Sequence, residues 1–248
     1  MTARTEPPGD QSLDDEQAWA GEPLAQFLAA AWRNTVNSFG AERQRYAALA
    51  EVDSVFRRLI ENLADSPEHL SSTLVVRTHA AFLAAASLAL SGQVAEAYVL
   101  LRQSLRAALQ GLFVAGSPER QRFWASRNDD DDARRRMESE FSDAAMLSRL
   151  REVDAATAGI YQKLDQRTLD RSGHPNTFAT LTRQTPADAA GNDFTRKYFV
   201  RDDDVRRSCL RSAVQVGICC LSIFFYVFGD EYRELELEAP INKLRQGH

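Results

Sequence analysis

The segment from Gly92 to Val114, GQVAEAYVLLRQSLRAALQGLFV, constrains the fold more than any other part of the chain. Val94, Tyr98, Leu101, Leu105, Ala108 and Leu112 recur at three- and four-residue steps, the period of a helix. Val99, Leu100 and Leu109 spread the apolar surface beyond one stripe. A helix this apolar belongs at the centre of a bundle. Arg102 and Arg106, four apart, project side by side from it. Like charges so placed repel, so each arginine requires a carboxylate, a bound anion or open water.

The flanking segments follow the same period. Pro23 suits a first helical turn, and Leu24, Phe27, Leu28, Ala31, Trp32, Thr35 and Val36 follow at helical spacing to Gly40. A second helix is expected from Ala41 to Ala64, with Leu49, Val52, Val55, Phe56, Leu59, Ile60 and Leu63 apolar. Ser66-Pro67-Glu68 reads as the start of a third, with Ser66 as cap, which Ser91-Gly92 ends. Residues 67–115 thus form a tight antiparallel hairpin. Ser117-Pro118-Glu119 opens a short helix carrying Phe123 and Trp124. Asp129 to Asp132 then sit where a helix dipole favours carboxylates. Neighbouring aspartates at a helix start rarely converge on one metal ion, so no metal site is expected there.

One long helix, or two stacked end to end, is expected from Ala133 to Leu169, with a seam of Val153, Thr157, Ile160 and Leu164. Pro175 forces its end by Gly173. FATLT and RKYFV predict a small β-hairpin or flap within 177–200. Asp202 to Asp204 open the last core helix, expected to run to Phe228. Its stretch from Ala213 to Phe228 is uncharged but shorter than the ~20 residues of a membrane span, so a buried bundle helix or dimer seam is expected there. The fold class is therefore all-α, a bundle of about five to seven helices occupying 21–228 as one domain. A polar, disordered arm (1–20) precedes it, and a charged, loosely packed tail (229–248) follows.

Composition limits the function. The formal net charge of -5 argues against a protein that coats nucleic acid through bulk charge. Cys209, Cys219 and Cys220 do not form a disulfide pattern, and no Cys/His spacing suggests zinc. A reducing, cytoplasmic location follows. No glycine-rich phosphate loop, dinucleotide fingerprint or nucleophile elbow occurs, and no cofactor is expected.

The candidate site lies in YQKLDQRTLDRSGHPN, from Tyr161 to Asn176, where Arg167, Asp170, Arg171 and His174 gather at a helix end. Arginine is a fixed cation suited to phosphate, and histidine transfers protons near neutral pH. Such a pair can cleave RNA without metal: the arginine holds the scissile phosphate while the histidine moves protons to or from a ribose hydroxyl. The structural alternative has Asp170 and Arg171 capping the helix end and His174 packing against Pro175.

The hairpin with LLRQSLRAAL, the helix ending in Y-x-x-L…H-P-N, the variable flap and the final apolar helix together resemble the HEPN superfamily over roughly 70–228. The resemblance implies an α-helical bundle, often dimeric. It embraces metal-independent endoribonucleases of toxin–antitoxin and phage-defence systems, and inactive members that only bind. Active members carry an Arg and a His a few residues apart; Arg167 and His174 have six residues between them. Where such proteins tend to have a Glu that could pair with the arginine at the Arg102 position, this chain has Arg106, so a partner for Arg102 must come from elsewhere.

Three functions follow as expectations. One is a homodimeric binding or scaffolding module without catalysis, using Arg102, Arg106, Tyr161, Asp170 and Arg171 for binding. Another is an endoribonuclease with Arg167 and His174 as its working pair and RNA or an antitoxin-like protein as partner. The last is a membrane-associated protein using 213–228.

Overall fold

The computed structural model describes residues 21–172, 198–200 and 202–247. Within these residues the chain is all-helical. Pro23–Ala41 (α1) and Arg43–Glu61 (α2) lead into a hairpin of His69–Ser91 (α3) and Val94–Val114 (α4). Pro118–Ala125 (α5), Asp131–Glu140 (α6), Asp143–Val153 (α7) and Ala155–Arg171 (α8) follow. Asp203–Phe225 (α9), Gly229–Glu234 (α10) and Glu238–Gly247 (α11) complete the chain.

As its composition demands, α4 is the central rod. It packs along α3, against α9, and on its other flank against α7 and α8. Leu101, Leu105, Ala108 and Leu109 are fully buried, whereas Val99 is exposed, so one strip of this helix reaches the surface. Gly92 ends α3 in the left-handed region at φ 91°, where a side chain would be strained. The carbonyl of Gly92 accepts the Val200 N–H at 2.9 Å. Phe199 stacks on Phe27 of α1, with centroids 5.1 Å apart, so residues 198–200 tie the α3–α4 turn to α1.

Two glycines set the bed of α9. A Cβ on Gly111 of α4 would lie 2.6 Å from the Phe224 ring, and one on Gly217 of α9 would lie 2.5 Å from Val52 of α2. Hydrogen permits both contacts and no larger group does. Val214, Val216, Leu221, Ile223 and Phe224 thereby reach the core shared by α2, α3 and α4.

Several sequence expectations are corrected. The region Ala133 to Leu169 forms three helices, because Asp130, Ser142 and Asp154 each accept backbone N–H groups as N-caps and restart the chain. Short segments of this kind raise the helix number above the expected five to seven. The seam through Ile160 is rotated: Ile160 is exposed, and Ala158, Tyr161 and Leu164 face inward. α3 begins at His69 rather than Pro67, with the Ser66 hydroxyl accepting the Glu68 N–H. α9 ends at Phe225, short of Phe228.

The tail does not pack loosely. Tyr232, Leu237, Ile241 and Leu244 are buried in the main core, and the Tyr232 hydroxyl donates to the Leu221 carbonyl at 2.7 Å. Leu237, Ile241 and Leu244 recur at i, i+4 and i+7, an inward stripe that the surrounding charges mask in the sequence. No strand occurs among the described residues. The expected hairpin at 177–200 lies outside them except for 198–200, which form a turn and coil.

Candidate functional site

The candidate polar side chains come from α4, α7, α8 and α9. α8 is aimed by its first residue. Asp154 accepts the backbone N–H groups of Ala156 (2.9 Å) and Thr157 (3.1 Å), the Thr157 hydroxyl (2.5 Å) and the Tyr226 hydroxyl from the end of α9 (2.7 Å). Partial burial pushes this carboxyl up, but the hydrogen bonds outweigh it and hold Asp154 down at about 2. At the other end, Arg171 donates to the Ser208 hydroxyl at 2.8 Å. The two contacts clamp α8 antiparallel to α9 at both ends.

The like-charged pair on α4 finds carboxylates. Arg102 Nε donates to Asp165 of α8 at 2.9 Å, and Arg106 lies 3.5 Å from Asp143 of α7. The hydrogen bond to Asp165 raises the Arg102 pKa above its ordinary value. Asp165 thus supplies the carboxylate that Arg102 requires. Tyr161 lies beneath this layer. It is buried, and burial followed by the nearby Asp165 and Asp143 raises its hydroxyl pKa. Its surface is turned into the core rather than offered to a ligand.

On the outward side of α8, Lys163, Gln166, Arg167, Asp170 and Arg171 line a shallow, open groove of about 680 Å³. Lys163, Arg167 and Arg171 rise in steps of four along it. Arg167 donates to Gln215 of α9 at 2.8 Å, and Gln166 donates to Asp170 at 2.7 Å. Arg171 also reaches the Tyr98 hydroxyl at 3.4 Å. The structure therefore gathers Arg167, Asp170 and Arg171 on one face and places Arg102 and Arg106 across α8 from it. His174 lies outside the described residues.

Composition and spacing miss three polar contacts. His79 of α3 is buried, stacks on Phe56 and bonds Asp53 of α2 at 2.7 Å, while Arg57 holds the same carboxylate at 2.9 Å. Burial lowers the His79 pKa despite the opposing pull of Asp53. Glu42, between α1 and α2, is buried under Arg207 of α9 (2.8 Å) and Arg45 (2.7 Å). Burial raises its carboxyl pKa, but the two arginines outweigh this and leave it lowered. The third contact is the Asp154–Tyr226 bond. Each includes a bond between residues brought together only by packing, and the i,i+4 spacing of Asp53 and Arg57 and the i,i+3 spacing of Glu42 and Arg45 are the local signals among them.

Among the described residues no group of His, Cys, Asp and Glu could hold a metal ion. α3 and α9 are each long and apolar enough to cross a membrane, and the apolar window of α9 is 78% buried inside the fold. No family model, curated protein or solved structure matches the chain.

Proposed function

We propose that this chain is a cytoplasmic, HEPN-like helical module that works as a homodimer and binds or scaffolds without catalysis. The observation that carries this reading is the internal engagement of its arginines. Arg102 is held by Asp165, Arg106 by Asp143, and Arg171 by Ser208 and Tyr98. Arginines held by carboxylates and hydroxyls of their own chain join helices, and their charge is partly answered within the fold, which favours a structural use over phosphate capture. The three buried thiols, Cys209, Cys219 and Cys220, favour a reducing compartment.

A second reading, a metal-independent endoribonuclease, draws support from the row of Lys163, Arg167 and Arg171 on the open face of α8. In that reading Arg167 would hold the scissile phosphate and His174 would transfer the protons, with RNA or an antitoxin-like protein as partner. Membrane association through 213–228 is the weakest reading, because those side chains are mostly committed to the core.

The deciding experiment incubates RNA with the purified protein and with its His174→Ala form in EDTA, and records the mass of each in solution. The binding module is expected to form a dimer and leave RNA intact in both cases. Cleavage abolished by His174→Ala at unchanged mass would replace it with the endoribonuclease.

A further inference from the structure

Among the described residues, exposed large apolar side chains line up in a row on α1. Leu24, Leu28, Trp32 and Val36 stand at strict four-residue intervals, with relative exposures of 68%, 57%, 65% and 45%. The opposite side of the same helix is anchored. Ala30, Thr35 and Ser38 are buried, the Ser38 hydroxyl donates to the Leu90 carbonyl at 2.8 Å, and Asn34 donates to the Ser91 carbonyl at 3.1 Å. The orientation of α1 is therefore fixed by polar contacts to α3, with Phe27 and Phe39 packed inward, and the row with Trp32 points away from the fold.

We infer that this row is the contact between two copies of the chain, α1 against α1 across a two-fold axis. The inference rests on the homodimer reading above and names its surface. Side chains four apart form one ridge of a helix, and two such ridges interlock at a crossing angle of about 50°. Its even spacing lets the row pair with a second copy of itself about its own midpoint. An axis between Leu28 and Trp32 sets Leu28 of each copy against Trp32 of the other, with Leu24 and Val36 at the two ends. A closed two-fold contact needs that self-complementarity, since one patch must serve as both halves. No member of the row is charged, so an apolar surface of equal length is the chemistry that fits it.

The area agrees. The four side chains offer on the order of 400 Å² per copy, at about 150 Å² for the tryptophan and less for each aliphatic residue. A standard interface takes about 800 Å² from each partner, so the row supplies the apolar centre and exposed neighbours on the same helix, such as Ala29 and Arg33, belong to the rim. A buried tryptophan at the middle of such a contact typically carries much of its affinity.

The test measures the mass of the full chain by light scattering and sedimentation over a range of concentrations, alongside Trp32→Glu, Leu28→Glu and Trp32→Phe. The wild type and Trp32→Phe are expected to be dimers. Either glutamate variant should weaken association at least about 100-fold, at an unchanged helical circular-dichroism spectrum, because the substituted side chains touch solvent in the monomer. A wild-type dimer that both glutamate variants leave intact would overturn this surface while sparing the homodimer. A wild type that is monomeric at every concentration would overturn both.

Discussion

Arg102 of α4 and Asp165 of α8 form an ion pair at 2.9 Å, joining the central helix to the helix that bears the candidate groove. The pair is partly exposed, with side-chain exposures of 37% and 29%, so solvent screens much of its Coulomb energy. A double-mutant cycle with Arg102→Ala and Asp165→Asn, read by urea denaturation, should return a coupling of about 0.5–1 kcal/mol. A coupling indistinguishable from zero would mean that the pair does not hold α8 in solution.

The cap at Asp154 ties acid stability to one group. Its carboxyl is held at about 2 in the fold, against an ordinary value of 3.8. A pKa depressed on folding stabilises the native state above the unfolded value. That contribution is full above about pH 4 and is lost as pH falls through the folded value toward 2. Asp154→Asn should therefore flatten the decline of Tm between pH 5 and 2. Asp154→Ala should cost about 1–2 kcal/mol at pH 7, as the loss of an N-cap does. Parallel melting curves for wild type and Asp154→Asn through that range would contradict the assignment.

Gly217 shows where packing outweighs helix propensity. Replacing a mid-helix glycine by alanine usually favours the helix by about 1 kcal/mol. Here the added methyl would lie 2.5 Å from Val52 and 3.1 Å from the Phe82 ring. Gly217→Ala is expected to destabilise by about 1–3 kcal/mol, the cost of overpacking a dense core. Thermal denaturation reads the sign directly, and a raised Tm would show that α9 shifts freely in its bed.

The C-terminal helices should prove indispensable. Removing residues 230–248 strips Tyr232, Leu237, Ile241 and Leu244 from the core. At about 1.5–3 kcal/mol for each buried side chain, the loss is comparable with the whole stability of a domain. The truncated chain should lose its cooperative melting transition. A truncated form that melts like the full chain would show that the core closes without them.

The thiols give a rapid check of the fold. Cys209, Cys219 and Cys220 are buried, and burial pushes the Cys220 thiol up to about 12. A disulfide reagent at pH 8 should react with them only as fast as the protein opens, with all three released in denaturant. Prompt modification of a native thiol would place α9 nearer the surface.

The sequence by itself determined the helical class, the central place of α4, the α3–α4 hairpin closed at Gly92, and the helix starts at Pro23, Pro118 and Asp203. These follow from periodicity and from caps a few residues away, which short-range physics enforces. It also set Arg102 and Arg106 side by side, so that each must meet a carboxylate, a bound anion or open water. Only the tertiary structure decided which carboxylates answer them, because Asp165 and Asp143 approach α4 through the packing of α8 and α7. The same holds for Tyr161 turning inward while Ile160 turns out, and for the tail entering the core. It holds also for the two sides of α1, where Asn34 and Ser38 face α3 while Leu24, Leu28, Trp32 and Val36 face water. Periodicity marks a helix as amphipathic, but which stripe meets the core depends on neighbours distant in the chain. Here the anchoring carbonyls of Leu90 and Ser91, more than fifty positions downstream, settled the outcome.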